Sequence, residues 1–252
     1  MAVILGFLIA VAIGLTGVGG GVITAPVLIL YMGLPAPVAV GTALAFVVLV
    51  KCVAVPVYIA RGQVNWRILG AMAAGGAPGA LAGSLLLQNA AAKDLGNAVL
   101  AAVGFIVMVS ASLNLLRILR RTQPAPAGER RGVLAALCAI IGLEVGFSSA
   151  GAGALGTVTL FRFSRLTPSE VVGTDLMFGF VVSMVAGAAH AAGGTMDRVM
   201  LANLAAGGVF GAFAGARLAT LLPGRVLKTA ICLVLAVLGC QLWIKGVAAM
   251  LW

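Results

Sequence analysis

Apolar runs of about 18 residues or more recur along the whole chain, and this feature restricts its fold more than any other. Such runs lie in hydrocarbon, where backbone N–H and C=O groups must bond within the segment, as they do in a helix. Only 9% of the 252 residues are charged, whereas a soluble domain carries roughly 25%. With 62% of residues hydrophobic, too little polar surface remains to cover a water-facing globule. The sequence therefore predicts an all-α polytopic membrane protein.

The net charge of +10 does not point to nucleic acid, because the basic residues sit at the ends of apolar segments, where they report topology. Cys52, Cys138, Cys232 and Cys240 lie within apolar stretches with no metal-ligand spacing, and are read as small buried residues. The start Met1-Ala2-Val3-Ile4 lacks the basic region of a cleavable signal peptide, so the first apolar segment is expected to be retained. The 35 glycines are spread through apolar segments, where they permit close helix approach or let a helix break. Their faces serve either packing within the chain or a homodimer.

An internal repeat organises the chain. At an offset of 132 positions, Leu34, Val40-Gly41-Thr42 and Gly75-Gly76 fall on Leu166, Val172-Gly173-Thr174 and Gly207-Gly208. Between Leu34 and Gly83, 20 of 50 positions are identical without a gap, where this composition gives roughly one in ten by chance. Residues 1–120 form a first membrane repeat and 132–252 a second. The linker at 121–131 belongs to a polar stretch from Arg117 to Arg131 with five arginines, which the positive-inside rule assigns to the cytoplasm.

Each repeat reads as four apolar segments, roughly 2–32, 38–60, 66–88 and 95–117, then 133–162, 169–191, 198–220 and 226–247. The opening segment of each is about 30 residues long, about 45 Å as a helix against a hydrocarbon core of about 30 Å. Glycines interrupt both, at Gly17-Val18-Gly19-Gly20-Gly21 and at Gly151-Ala152-Gly153. If these segments span, the repeats are parallel; if they re-enter, the repeats are inverted. The parallel arrangement leaves six Lys/Arg outside, the inverted one only Lys93, Arg198 and Lys245. The basic residues thus favour inversion.

Gly17-Val18-Gly19-Gly20-Gly21, Pro26, Leu34-Pro35 and Val38-Ala39-Val40-Gly41-Thr42 resemble the first-repeat signature of the TauE/SafE sulfite exporter family. Arg61-Gly62, Val64-Asn65-Trp66-Arg67 and Gly75-Gly76-Ala77-Pro78-Gly79-Ala80 continue the pattern. The resemblance spans essentially the whole chain. It implies a multi-pass permease of the bacterial inner membrane for small anions, often sulfur-containing, such as sulfite or organosulfonates. The second repeat departs from the pattern: its glycine run is diluted to Phe147-Ser148-Ser149-Ala150-Gly151-Ala152-Gly153, and Gly193 stands where the first repeat has Arg61.

Four ionisable residues fall within the expected spans: Lys51, Glu144, Asp175 and His190. Their mates at the 132 offset are Ser183, Ala12, Ala43 and Tyr58, so the symmetry of the repeat does not account for them. A charge at membrane depth costs at least about 2.5 kcal/mol, which makes each a functional candidate. Lys51 either attracts an anion, forms a structural pair with Asp175 or Glu144, or snorkels. Glu144 and Asp175 are candidates for proton coupling, because a carboxyl in apolar surroundings can exchange protons near neutral pH; charge pairing is the plainer reading. His190, beside Gly193-Gly194, is expected at the interface.

The glycine breaks are the favoured substrate site. A broken helix exposes unpaired N–H groups and the positive end of a half-helix dipole, which suit an anion. Thr16, Gly17, Gly19, Gly20 and Gly21 form the first break and Ser148, Ser149, Gly151 and Gly153 the second. The repeat-matched Thr42 and Thr174 complete the substrate-binding set. Packing through small residues is the structural alternative for any one glycine. The first glycine run is not a nucleotide loop, since no Lys-Ser/Thr ends it, and no cofactor is expected.

The sequence therefore points to a secondary transporter of a small anionic substrate, in contact with membrane lipid and not nucleic acid, with alternating access at the repeat interface. A channel would require a continuous polar lining, and the polar residues are scattered. An intramembrane enzyme would require paired catalytic groups, and there is one histidine with no HExxH or GxSxG. A non-transporting scaffold or receptor has only the short linker as a partner surface.

Overall fold

Among the described residues, ten helices follow the expected segments, with the opening segment of each half split in two. In the computed structural model, residues 2–16, 21–92, 96–120, 130–149, 152–218 and 224–251 are described, and their regular structure is all helical. The first half comprises α1 (Ala2–Thr16), α2 (Gly21–Met32), α3 (Ala36–Ala60), α4 (Trp66–Ala92) and α5 (Gly96–Arg120). The second comprises α6 (Arg131–Ser148), α7 (Ala152–Phe163), α8 (Pro168–Ala192), α9 (Arg198–Leu218) and α10 (Gly224–Leu251). Among the described residues, α3, α4, α6, α8 and α10 each carry an apolar stretch of at least 18 residues, long enough to cross a membrane.

The second opening segment folds back on itself. The backbone N–H of Arg130, just before α6, donates to the carbonyl of Phe163, the last residue of α7, at 3.4 Å. The chain thus leaves this hairpin beside the point where it entered. Ser149, just past the end of α6, has a φ of 60° in the left-handed region.

Glycines set the spacing of the neighbours. Gly75, Gly79 and Gly83 of α4 lie one turn apart, and a Cβ on any of them would strike the backbone carbonyl of Ala135, Ala139 or Leu143 on α6. The contacts climb in the same order along both helices, so α4 and α6 run parallel. Gly207 and Gly211 of α9 pack in the same way on Val3 and Phe7 of α1. Without water to drive association, such backbone proximity supplies the packing energy.

Two other pairs run antiparallel. Gly41, near the start of α3, abuts His190 and Thr195 at the far end of α8, and Gly173, near the start of α8, abuts Gln63 just beyond α3. On the opposite flank, Asn97 Nδ2 of α5 donates to the Ala249 carbonyl of α10 at 2.8 Å, while Gly104 lies against Gly239 and Trp243.

Contacts recur in pairs at the 132 offset. Phe178, fully buried, covers Gly76, and Phe46, fully buried, covers Gly208. The outward surface is apolar, with Val199, Phe210 and Ile140 among its most exposed side chains. Facing acyl chains, such a surface carries no penalty; facing water, it would aggregate. The chain is a multi-pass integral membrane protein.

Candidate functional site

α3 and α8 are held at both ends. Pro35 precedes α3 and Pro37 lies in its first turn, while Pro168 opens α8 after the N-cap Thr167. The Thr167 hydroxyl accepts from the Glu170 N–H at 3.4 Å, and the Glu170 carboxylate accepts from the Thr167 N–H at 2.9 Å, a reciprocal capping box. At the other end, Gly62 and Gly194 take φ of 65° and 68°, a left-handed turn that suits glycine.

Thr42 and Thr174 lock this crossing. Thr174 Oγ1 of α8 accepts from the Asn65 N–H at 3.0 Å, and Thr42 Oγ1 of α3 accepts from the Asp197 N–H at 3.0 Å. Asn65 and Asp197 in turn cap α4 and α9, their side-chain oxygens accepting from the N–H groups of Ile68 and Met200. Thr42 and Thr174 therefore each join their own helix to the loop beyond the other.

Lys51 and Asp175 lie buried in this assembly and interact electrostatically. Asp175 Oδ2 accepts from Thr157 Oγ1 of α7 at 2.6 Å, whereas Oδ1, also buried, has no hydrogen-bond partner among the described residues. A Cβ at Gly156 would overlap Oδ1, so glycine is what makes room for the carboxylate. The thiol of Cys138 on α6 is buried as well. α7 and α8 thus meet at one carboxylate, and α3 contributes a buried ammonium. Thr157 and Gly156 escaped the sequence reading, although Gly156-Thr157 repeats the Gly-Thr pairs of 41–42 and 173–174.

Glu144 engages a different partner. Ser110 Oγ of α5 donates a hydrogen bond to Glu144 Oε1, joining the α6–α7 hairpin to α5. Ser148 Oγ donates to the Glu144 backbone carbonyl at 2.9 Å. The Ser149 hydroxyl is buried just past α6 without a hydrogen-bond partner among the described residues. Thr16 ends α1, Gly21 opens α2 and Gly153 lies in the first turn of α7. Gly17, Gly19, Gly20 and Gly151 lie outside the described residues.

His190, expected at the interface near the end of α8, is fully buried within the protein. Its Nε2 donates to the Gly146 carbonyl of α6 at 3.3 Å, and Nδ1 lies 2.8 Å from Thr195 Oγ1. The antiparallel crossing causes this: α6 and the start of α3 cover the end of α8, which a linear count of residues leaves at the surface.

Comparison with known proteins agrees with this membrane architecture. The family model described as "Sulfite exporter TauE/SafE" matches residues 2–242. The chain is similar to the "Probable membrane transporter protein YjnA" of Bacillus subtilis, 26% identical over 95% of this chain and 98% of that one. It is also similar to "Probable membrane transporter protein YunE" of the same organism, at 24% identity over 97% of both chains. A third relative, "Probable membrane transporter protein YdhB", is 26% identical over 92% of this chain and 95% of its own. No solved structure matches the chain significantly. A full-length family match, transporter relatives of the same length and a helical membrane architecture agree: the chain is a membrane transporter of the sulfite exporter TauE/SafE family.

Proposed function

We propose that the protein is a secondary transporter of small anions in the bacterial inner membrane, working by alternating access between two inverted repeats. The observation that carries this reading is the buried Lys51 near Asp175, whose Oδ1 has no hydrogen-bond donor among the described residues. A buried acceptor left unsatisfied costs about 1–3 kcal/mol, so the site favours gaining a proton or a ligand there. When Asp175 takes a proton, the ammonium of Lys51 loses its counter-charge and attracts an anion. When the anion leaves, the carboxyl releases its proton and the pair re-forms. Anion and proton then move together.

Inversion draws support from the directions of the helices. The repeat-equivalent pairs α3 with α8 and α5 with α10 are antiparallel, as a two-fold axis in the membrane plane requires. The α6–α7 hairpin returns to its own side, as re-entry requires. The Ser149 hydroxyl and the open end of α7 are suited to hold an anion further along its path, and Glu144 gives the hairpin a second proton-exchanging group. The family name favours sulfite and organosulfonates as substrates. No nucleic acid takes part.

The test is flux into proteoliposomes from a panel of sulfite, sulfonates and carboxylates, with and without a pH gradient. Wild type should move one class of anion in response to the gradient. Lys51→Ala should lose flux at least tenfold, and Asp175→Asn should keep exchange while losing the response to pH. Flux unchanged in both variants would move the site to the hairpin turns. No anion flux from folded protein would sink the anion reading.

A further inference from the structure

We propose that the groove between α6 and α7 binds one anionic phospholipid of the cytoplasmic leaflet, with one acyl chain along its floor and the phosphate at Arg162. The groove has a volume of about 410 Å³ and an apolar floor that includes Ile140, Leu155 and Val158. Arg162 is the charged residue in its lining. The hydroxyl of Thr159, also in the lining, is committed to the Leu155 carbonyl at 2.7 Å.

The charges at its mouth set the chemistry. The Arg162 guanidinium lies 5.8 Å from the centre of the Phe163 ring, which orients it at the end of the groove. The N–H of Arg130 bonds the Phe163 carbonyl, which fixes that residue at the same mouth, and Arg165 follows three positions on. Arg130, Arg162 and Arg165 are all exposed. An arginine fork matches a phosphate bidentately, and basic pockets between membrane helices on the cytoplasmic side attract anionic head groups. An apolar floor running into a cationic mouth fits an acyl chain joined to a phosphodiester; a neutral lipid would leave the arginines uncompensated.

Repeat symmetry does not explain the feature. The positions matching Ile140 and Leu155 in the first half are Leu8 and Ile23, so the apolar floor has a counterpart. The positions matching Arg162 and Arg165 are Leu30 and Gly33, so the cationic mouth has none. In the inverted topology the positive-inside rule places these arginines in the cytoplasmic half alone, and the groove sets them at the end of an apolar floor. The proposal rests on the inverted topology, which puts both ends of the hairpin at the cytoplasmic face.

The experiment is native mass spectrometry of the full chain in neutral detergent, titrated with phosphatidylglycerol or with phosphatidylcholine of the same acyl chains. Phosphatidylglycerol should bind wild type with one tight site. Arg162→Gln should weaken it about tenfold or more. Arg162→Lys, which keeps the charge without the fork, should fall between. Arg67→Gln removes an equal exposed charge from the start of α4 and should have no effect. Leu155→Trp should fill the groove and displace the lipid. Equal binding of both lipids by wild type, or equal losses in Arg162→Gln and Arg67→Gln, would overturn the proposal. Inorganic phosphate alone should not compete; competition would reassign the mouth to a free anion and overturn the lipid. Flux plays no part in this readout, so its failure is distinct from failure of the anion-transport reading.

Discussion

Thr174 on α8 accepts the backbone N–H of Asn65 at 3.0 Å, and 132 positions earlier Thr42 on α3 accepts the N–H of Asp197 at the same distance. The two bonds cross between the halves of the chain, each fastening one half to the other. A transporter that rocks one half against the other must move about such points, or break them.

Removing either hydroxyl should therefore cost the same. Thr42→Val and Thr174→Val keep the shape and leave one loop N–H unpaired, and each should lower stability by about 1 kcal/mol. Thermal unfolding in detergent measures this. The double variant should lose about the sum, because the two bonds share no group. A loss confined to one threonine would show that the crossing is not symmetric.

Close packing of α4 on α6 is a second sensitive point. Gly79→Ala would place a Cβ against the Ala139 carbonyl and should destabilise by about 1–3 kcal/mol. Gly70 on the same helix faces open space, and Gly70→Ala should be neutral or stabilise by up to about 1 kcal/mol. Equal effects would mean that the helices do not approach through the glycine ridge.

The membrane sidedness of two arginines separates the topologies. In a cysteine-free background, Arg165→Cys and Thr122→Cys should label with an impermeant maleimide from the same side, and Arg198→Cys from the opposite side. Parallel repeats would give the reverse pairing, with Arg198 on the side of the linker.

Ser149 joins conformational strain to an unused hydroxyl. Its left-handed φ of 60° suits glycine, so Ser149→Gly should raise stability by about 1 kcal/mol. If the hydroxyl binds the transported anion, the same change should raise KM for flux. A more stable protein with unaltered flux would leave Ser149 as a turn residue alone.

What the sequence determined by itself is what depends on local chemistry and counting. Membrane residence follows from too few charges, because no arrangement of this chain could face water. The helix boundaries at Leu34-Pro35 and at Thr167-Pro168 follow from proline and capping chemistry, and those at Gly62 and Gly194 from conformational freedom at single residues. The candidacy of Lys51 and Asp175 follows from the cost of charge at membrane depth. Which groups meet was decided by tertiary structure alone. Lys51 had two carboxyl partners available at sequence level, and helix order does not distinguish them; the crossing of α3 and α8 brings Asp175 into its field and sends Glu144 to Ser110. His190 looked interfacial along its own helix and is buried because α3 and α6 cover that end. Thr157 becomes a carboxylate donor only because the hairpin folds α7 back against α8. Local sequence sets where each helix starts and stops, but a contact between helices depends on the shape of both faces, and a single chain read end to end shows one face at a time.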